Sequence, residues 1–502
     1  MNRIRSNTKI QNTVTYIVLI MIGIFVFFII GEEVPMISKD TGAYTTISQS
    51  DGVMPIYPLF AYACRLLFGE QHAYIAMVII QGILAIICTV YFTHFIQTEC
   101  KLNNIMTVVV YILSLIPFLT YLPEANISQI ILTEGLALPL SYLMIVFIAK
   151  GFIKNRLSWL FAALGVSAIL YLVRSQLLIA IMLVSGFILI KLAFTGRHTV
   201  GKILKGVVLS GAIAFSTFFI CFELFLGYLN YVVPALEDKN RVVEETWFGS
   251  NIPGLDSTNS DDETNDAGEN NQIISGSSQF RRLVMNRGFF FLEDDDYIKY
   301  DSYEKQEAYR VAIKSIRGQN SEGLYIDNPI DWSRKWDEQG LISERNVNYA
   351  IDGLSDYYRL LYPNYSDVEI WELVKEDVMQ FAVNALRLHP IKASYVFMRL
   401  FCAGLQASIF VQPDGFYVIS EIITVFLLIG TLIILWLSRK SFEANIILFR
   451  IICVSILVYS FIISAIHYPL QRYLLYFQGM YYSGLCIVCV SYVKKLIMDR
   501  FE

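Results

Sequence analysis

Over most of its length this sequence lacks charge. Asp, Glu, Lys and Arg make up 17% of 502 residues, against 55% hydrophobic residues and a mean hydropathy of +0.51. An ordinary soluble domain carries about 25% charged residues, so a wholly water-exposed chain is excluded. Local absences exclude more. No run of Lys and Arg builds the basic patch that phosphate backbones require, which argues against a nucleic-acid partner. The eight cysteines (Cys64, Cys88, Cys100, Cys221, Cys402, Cys453, Cys486 and Cys489) all lie in or near apolar runs. Their placement argues against a disulfide framework or a zinc cluster. Cys486 and Cys489 form a Cys-x-x-Cys, but inside an apolar run, where helix packing is the plainer reading than redox chemistry. No small-residue cleavage site follows the N-terminal apolar run, which therefore reads as a membrane helix and not as a removed signal peptide. No internal repeat is apparent, which weakens any architecture built on inverted repeats.

What the chain does have is apolar runs. A bilayer core of ~30 Å takes about 20 apolar residues in a helix. Runs at 12–31, 73–96, 104–122, 129–149, 157–173, 175–194, 203–227, 416–437, 445–466 and 473–493 qualify or nearly so. They predict an all-α polytopic membrane protein with about 10 transmembrane helices, 10–12 being the range the hydropathy allows. Lys and Arg placement sets the orientation. With Arg3, Arg5 and Lys9 inside, alternating crossings also put inside Lys101, the group Lys150, Lys154 and Arg156, the group Arg197, Lys202 and Lys205, the pair Arg439 and Lys440, and Lys494, Lys495 and Arg500. Both termini are then cytoplasmic. The outer segments are 32–72, 123–128, the turn at Arg174, 228–415 and the stretch around His467. The expected location is a plasma membrane, read here as bacterial.

Charge divides the chain further. Roughly 30 acidic and about 16 basic residues fall within 231–388, leaving that stretch near −14 and the remainder near +9. Three parts follow: an N-terminal membrane module over 1–230, an acidic extracytoplasmic domain over 231–388, and a C-terminal membrane module over 389–502. Within the outer domain, 250–276 is rich in Asn, Ser, Asp, Gly and Thr and reads as a flexible loop. The domain is otherwise expected to be mainly helical. Ser366-Asp367-Val368-Glu369 has the form of a capping box, followed by Trp371, Val374, Val378, Phe381, Ala385 and Leu388 at helical spacing. His389-Pro390 should end that helix. Residues 391–411 read as a helix lying along the membrane surface, or as an eleventh crossing.

Several outer-face residues invite chemistry. The first outer loop carries Asp40 and Tyr44, then Pro55, Tyr57 and Pro58, then a half-length amphipathic piece ending at Phe68-Gly69. Thr133-Glu134 opens an apolar run, Arg174-Ser175 separates two runs, and Arg472-Tyr473 opens the last. From spacing alone, Asp40 beside Lys39 reads as a solvated loop charge. Glu134, one turn into a membrane helix, reads equally as a structural partner of Arg174 or a lysine and as a substrate contact. Arg472 reads as a membrane anchor or a phosphate ligand, and His467 as an interfacial residue. Glu124 is a weaker acceptor or metal contact, and His389 a helix terminator. The aromatic cluster at Tyr473, Tyr476, Phe477, Tyr481 and Tyr482 reads mostly as an interfacial belt.

Taken in order, these motifs resemble the GT-C glycosyltransferases, polytopic enzymes that use sugars linked to polyprenyl phosphate. The likeness is to their protein mannosyltransferase and lipid A aminoarabinose transferase branch. It spans roughly 12–227 and 389–493, with Arg174-Ser175 standing where the family usually has Arg-Pro. The resemblance implies interfacial half-helices in the first outer loop and transfer of a sugar from a polyprenyl-phosphate donor to a glycan, lipid or protein acceptor outside the membrane. Asp40 would be the general base, since the acceptor hydroxyl must lose a proton as it attacks the anomeric carbon. Arg472, then Arg174, would hold the departing phosphate, with Tyr44, Glu134, Tyr473 and His467 as further substrate contacts. Displacement of phosphate by an activated hydroxyl would invert the sugar carbon. No cofactor is certain and no metal is assigned. Where a divalent cation is used, Asp40 with Glu124 or Glu134 would hold Mg or Mn. The rival readings are a polymerase or ligase of lipid-linked glycans and, from a different class, a transporter or flippase.

Overall fold

The computed structural model describes residues 2–30, 35–37, 41–47, 53–119, 127, 129–193, 200–236, 284–285, 287–319, 336–410, 417–466 and 474–501. Among them there is no strand, only an isolated parallel bridge between Met36 and Ile130. A helix satisfies its own backbone polar groups, which is what a chain this apolar needs within a bilayer.

The first part of the chain forms α1 (Asn2–Ile24, continued by a π-helical turn over Phe25–Ile29), α2 (Thr41–Thr45), α3 (Ile56–Phe68), α4 (Glu70–Cys100), α5 (Asn104–Leu119), α6 (Glu134–Ile153), α7 (Leu157–Val173), α8 (Leu178–Ala193) and α9 (Val200–Gly227). Helices α6 and α7, α7 and α8, and α8 and α9 pack as successive neighbours, and α4 lies against α6. Their core is filled by large side chains, with Phe92, Tyr111, Phe118 and Tyr142 fully buried. Exposed apolar residues such as Leu204, Val208, Phe215, Ile220 and Leu224 run along α9. Contiguous apolar surface of this kind is tolerated where lipid covers it.

Among the described residues, six helices are long and apolar enough to cross a membrane: Glu70–Cys100, Glu134–Ile153, Ser175–Ala193, Ile203–Leu236, Ala444–Ala465 and Leu475–Met498. The other expected crossings appear as the shorter apolar helices Thr13–Ile29, Asn104–Leu119, Leu157–Val173 and Ile422–Leu437. The seventeen residues of α7 stop where Arg174 adopts an extended backbone. At 1.5 Å per residue that helix spans about 25 Å, short of the bilayer core. The protein is thus an all-α membrane protein.

The polar domain is built on a second core, in which Phe289, Phe291, Tyr309, Val374 and Phe381 are buried. It comprises a 3-10 turn (Asp294–Lys299) and helices α10 (Tyr303–Gln319), α11 (Trp336–Leu361) and α12 (Asp367–Leu388). The capping box read from the sequence is formed: Glu369 N donates to Ser366 Oγ at 3.4 Å, and Ser366 N to Glu369 Oε2 at 2.8 Å. Asp377 is fully buried, and Lys305 and the Tyr358 hydroxyl both donate to it. Burial, and then the bond to Asp377, push the Tyr358 hydroxyl well above its usual range. The loop 250–276 lies outside the described residues.

The second core continues through Val396 and Leu400 of α13 (Pro390–Ile409). This is the segment read as a surface-lying helix or an eleventh crossing. Its second half is seated on α15 (Ala444–Ile466) through small residues. Ser464 Oγ donates to Leu400 O at 3.0 Å, Ser408 and Ser460 share a 2.9 Å hydrogen bond, and Gly404 faces both serines. Small residues let two backbones approach and exchange hydrogen bonds, the way helices associate in lipid. The Arg287 guanidinium, which donates to Ser464 O, adds a second tie between polar domain and bundle. Helix α14 (Tyr417–Leu437) precedes α15, and α16 (Gln478–Phe501) follows a 3-10 turn over Leu475–Phe477.

Candidate functional site

The start of α6 and the break between α7 and α8 bring two opposite charges out of water together. Glu134 is the first residue of α6, where the helix dipole favours a negative side chain. Arg174 lies at the break, with φ −155 and ψ 124, and a 3-10 turn over Ser175–Leu177 follows it. The side chains are 1% and 5% exposed and form an ion pair. Arg174 Nη1 also donates to Thr133 Oγ1 at 3.0 Å, and Nε to Gln176 Oε1 at 2.7 Å. Thr133 Oγ1 in turn donates to Glu134 Oε2 at 3.1 Å. The guanidinium is therefore engaged by three neighbouring side chains, and the carboxylate is held from two sides.

The first loop is docked onto the strand-like residues leading to this pair. Met36 N donates to Gln129 O at 3.0 Å and Ile131 N to Met36 O at 3.1 Å. Thr41, buried, donates its hydroxyl to Ile131 O at 3.1 Å. The Arg65 guanidinium on α3 donates to Thr45 O, tying α3 to α2. Tyr44 packs on Ile130 and Leu132, and its ring meets that of Tyr57 edge-on at 6.4 Å. Tyr57 OH donates to Gln81 Oε1 at 2.9 Å, and Gln81 Nε2 to Ile130 O at 3.2 Å. Gly135 makes that approach possible, because a Cβ there would lie about 2.5 Å from the Gln81 side chain.

Of the residues singled out from sequence, Tyr44, Glu134 and Arg174 are thus gathered at one end of the bundle. Asp40, Glu124, His467, Arg472 and Tyr473 lie outside the described residues. Thr41, which follows Asp40 in sequence, is anchored three residues before Glu134. The expected aromatic belt is largely internal: Tyr476, Phe477 and Tyr481 are buried. Tyr476 and Phe477 meet Tyr459 edge-on, and Tyr481 hydrogen-bonds Thr431 at 2.7 Å. Buried rings with hydroxyl partners are packing elements rather than lipid-facing anchors.

Sequence reading missed Gln81, Tyr57 and Gln176 as parts of this site. Gln81 had a signal, being a lone amide in the middle of an apolar run, where an unsatisfied polar group is costly. Gln176 had none, since its role depends on the turn after Arg174.

An apolar groove of about 930 Å³ runs between α1 and α4, lined by Tyr16, Ile20, Phe28, Ile79, Ile83 and His94, among others. On α4 it extends from Ile79 to His94, a length of about 22 Å at 1.5 Å per residue. In the polar domain, Glu293, Asp296 and His389 each bring a potential metal-ligand atom within 4.8 Å of the others.

Fold and site together define a helical membrane protein with a buried, hydrogen-bonded acid–arginine pair at one end of its bundle. No protein-family model, no curated protein and no solved structure matches the chain.

Proposed function

We propose that the protein is an integral membrane glycosyltransferase of GT-C type, which moves a sugar from a polyprenyl-phosphate carrier to a glycan, lipid or protein acceptor on the extracytoplasmic side. The observation that carries this reading is the convergence of separate motifs. The Thr133-Glu134 start of α6 and the Arg174 break meet in one buried ion pair, and the helix after Asp40 is anchored at Ile131, three residues before Glu134. In this reading the chain crosses the membrane about ten times with both termini cytoplasmic, and the shorter apolar helices complete the six long ones. Asp40 takes the acceptor's proton. Because Arg174 is already engaged by Glu134, Thr133 and Gln176, its role is to hold Glu134 and the first loop in place. Arg472, with His467 and Tyr473, is left to receive the phosphate. The α1–α4 groove, apolar and about as long as half a bilayer or more, suits the isoprenoid chain of the donor.

The test is Asp40→Asn, which is nearly isosteric but cannot accept a proton. General-base catalysis contributes about 10²–10⁴-fold in rate. The expected result is a loss of that order in turnover, with thermal stability and donor binding retained. Full turnover by Asp40→Asn would remove Asp40 from the chemistry. Loss of donor binding together with turnover would make it a metal or positioning residue.

A further inference from the structure

The polar domain contains a cluster that the Glu134–Arg174 site does not use. Glu293 and Asp296 flank the start of the 3-10 turn, where Glu293 N donates to Asp296 Oδ2 at 3.2 Å and closes a reciprocal cap. That cap fixes both carboxylates on one side of the turn. His389 occupies the bend between α12 and α13, with φ −119 and ψ 52, outside the helical region because Pro390 follows it. The bend aims its ring at the turn. His389 Nε2 stands 3.1 and 3.0 Å from the two oxygens of Asp296, and Nδ1 stands 3.7 Å from Glu293 Oε1. Asp296 and His389 are mostly shielded, with side chains 9% and 18% exposed, whereas Glu293 at 41% has room to adjust.

These separations suit one shared ion. Two ligand atoms about 2.1 Å from a common metal, at an angle of about 90–110°, stand roughly 3.0–3.4 Å apart. The His389–Asp296 spacing lies in that range, and one atom from each of the three residues falls within 4.8 Å of the others. Glu293 Oε1 stands nearest the other ring nitrogen, Nδ1, so its carboxylate would have to turn toward the Nε2–Asp296 side to complete the triad. Lys392 Nζ donates to Glu293 Oε1 at 2.6 Å, so one of the two ligand charges is already offset by an ammonium. The neighbouring Asp294 is engaged by Arg317 and is not available to the triad.

We propose that Glu293, Asp296 and His389 form a binding site for a divalent transition-metal ion of the zinc type, completed by water. An imidazole ligand favours such ions over calcium and magnesium, which prefer oxygen throughout. The ion would join two segments separated by 93 positions in sequence. It would thereby clamp the polar domain to the bend that leads into α13, the helix seated on α15. The site is independent of the proposed sugar transfer and would stand if that reading failed.

Chelator-stripped, tag-free, full-length protein in detergent is titrated with Zn²⁺ and with Ca²⁺, following heat released and thermal unfolding. The expected result is one equivalent of Zn²⁺ bound with a rise in Tm, and no effect of Ca²⁺. Loss of a ligand should weaken binding by at least about tenfold, as removing even supporting groups at metal sites does; this is expected for Asp296→Asn and for His389→Gln. Lys392→Met removes the competing ammonium and leaves all three ligands, so it should tighten binding. Absence of stoichiometric Zn²⁺ binding by the parent protein would overturn the proposal. So would Zn²⁺ binding that neither ligand substitution weakens and Lys392→Met does not strengthen, since the ion would then sit elsewhere.

Discussion

Glu134 and Arg174 carry opposite charges where little water reaches, and each makes the other's burial tolerable. Removing one partner of such a pair leaves an uncompensated buried charge and typically costs about 3–5 kcal/mol, whereas replacing both with apolar residues is often close to neutral. Arg174→Met alone should therefore lower the Tm sharply, and Glu134→Leu combined with Arg174→Met should recover much of it. Thermal unfolding in detergent checks both; a double variant as unstable as the single would show that the pair's worth lies in its contacts to Thr133 and Gln176. At this scale the sequence was partly legible. Lone charges at the ends of apolar runs stood out, and one of the two readings of Glu134 paired it with Arg174 or a lysine. Gln176 was invisible, and Tyr57 was read only as part of a turn, because nothing local distinguishes a side chain that serves its own turn from one that crosses to another helix. His389 was read as a helix terminator, which it is. Its ring contacts with Asp296 and Glu293 depend on a turn 93 positions away.

At the scale of elements, periodicity and capping chemistry were the readable signals. The Ser366 box starts α12 where expected, and His389-Pro390 ends it. The Glu369 carboxyl is held below its usual range first by the Ser366 backbone amide and then by the Ser366 hydroxyl. A lowered folded-state value means stability that is fully present above the ordinary carboxylate range and is lost as pH falls through the folded value. The polar domain should accordingly weaken on acidification below that range. The Ser366→Ala variant, which gives up a cap worth about 1 kcal/mol, should show a smaller acid-induced loss than the parent. Far-UV circular dichroism against pH checks this, and an identical acid profile in both proteins would assign the loss to other carboxylates. Element boundaries within the bundle were less legible. Hydropathy places the run 157–173 on α7 itself, but sets 129–149 against Glu134–Ile153 and 73–96 against Glu70–Cys100, since turns and capping rather than polarity decide where those helices start and stop. The packing partner of residues 391–411 was not legible for a related reason. Mixed polarity suggests a membrane surface, but Gly404 and Ser408 fit a serine-rich face of α15 that lies about 55 residues further along.

For the whole molecule, composition marks an apolar part and a polar part, and the described residues hold two large hydrophobic cores beside the small Ile130–Leu132 cluster. Which side of the membrane each end faces is part of the functional proposal and is open to direct test. Single cysteines at Ser260 and Thr199, in a cysteine-free background, should differ toward an impermeant thiol reagent on intact cells. Ser260→Cys should label and Thr199→Cys should not; the reverse pattern would put the Glu134 end of the bundle in the cytoplasm. The central claim, sugar transfer from a lipid carrier, is tested most directly by the purified protein in liposomes with radiolabelled polyprenyl-phosphate hexoses and the lipid and glycan fractions of the host envelope as acceptor. Transfer of label from carrier to acceptor, abolished by Asp40→Asn, is the expected result. Carrier moved across the bilayer with its sugar bond intact, at equal rate in both proteins, would contradict the account and make the protein a flippase.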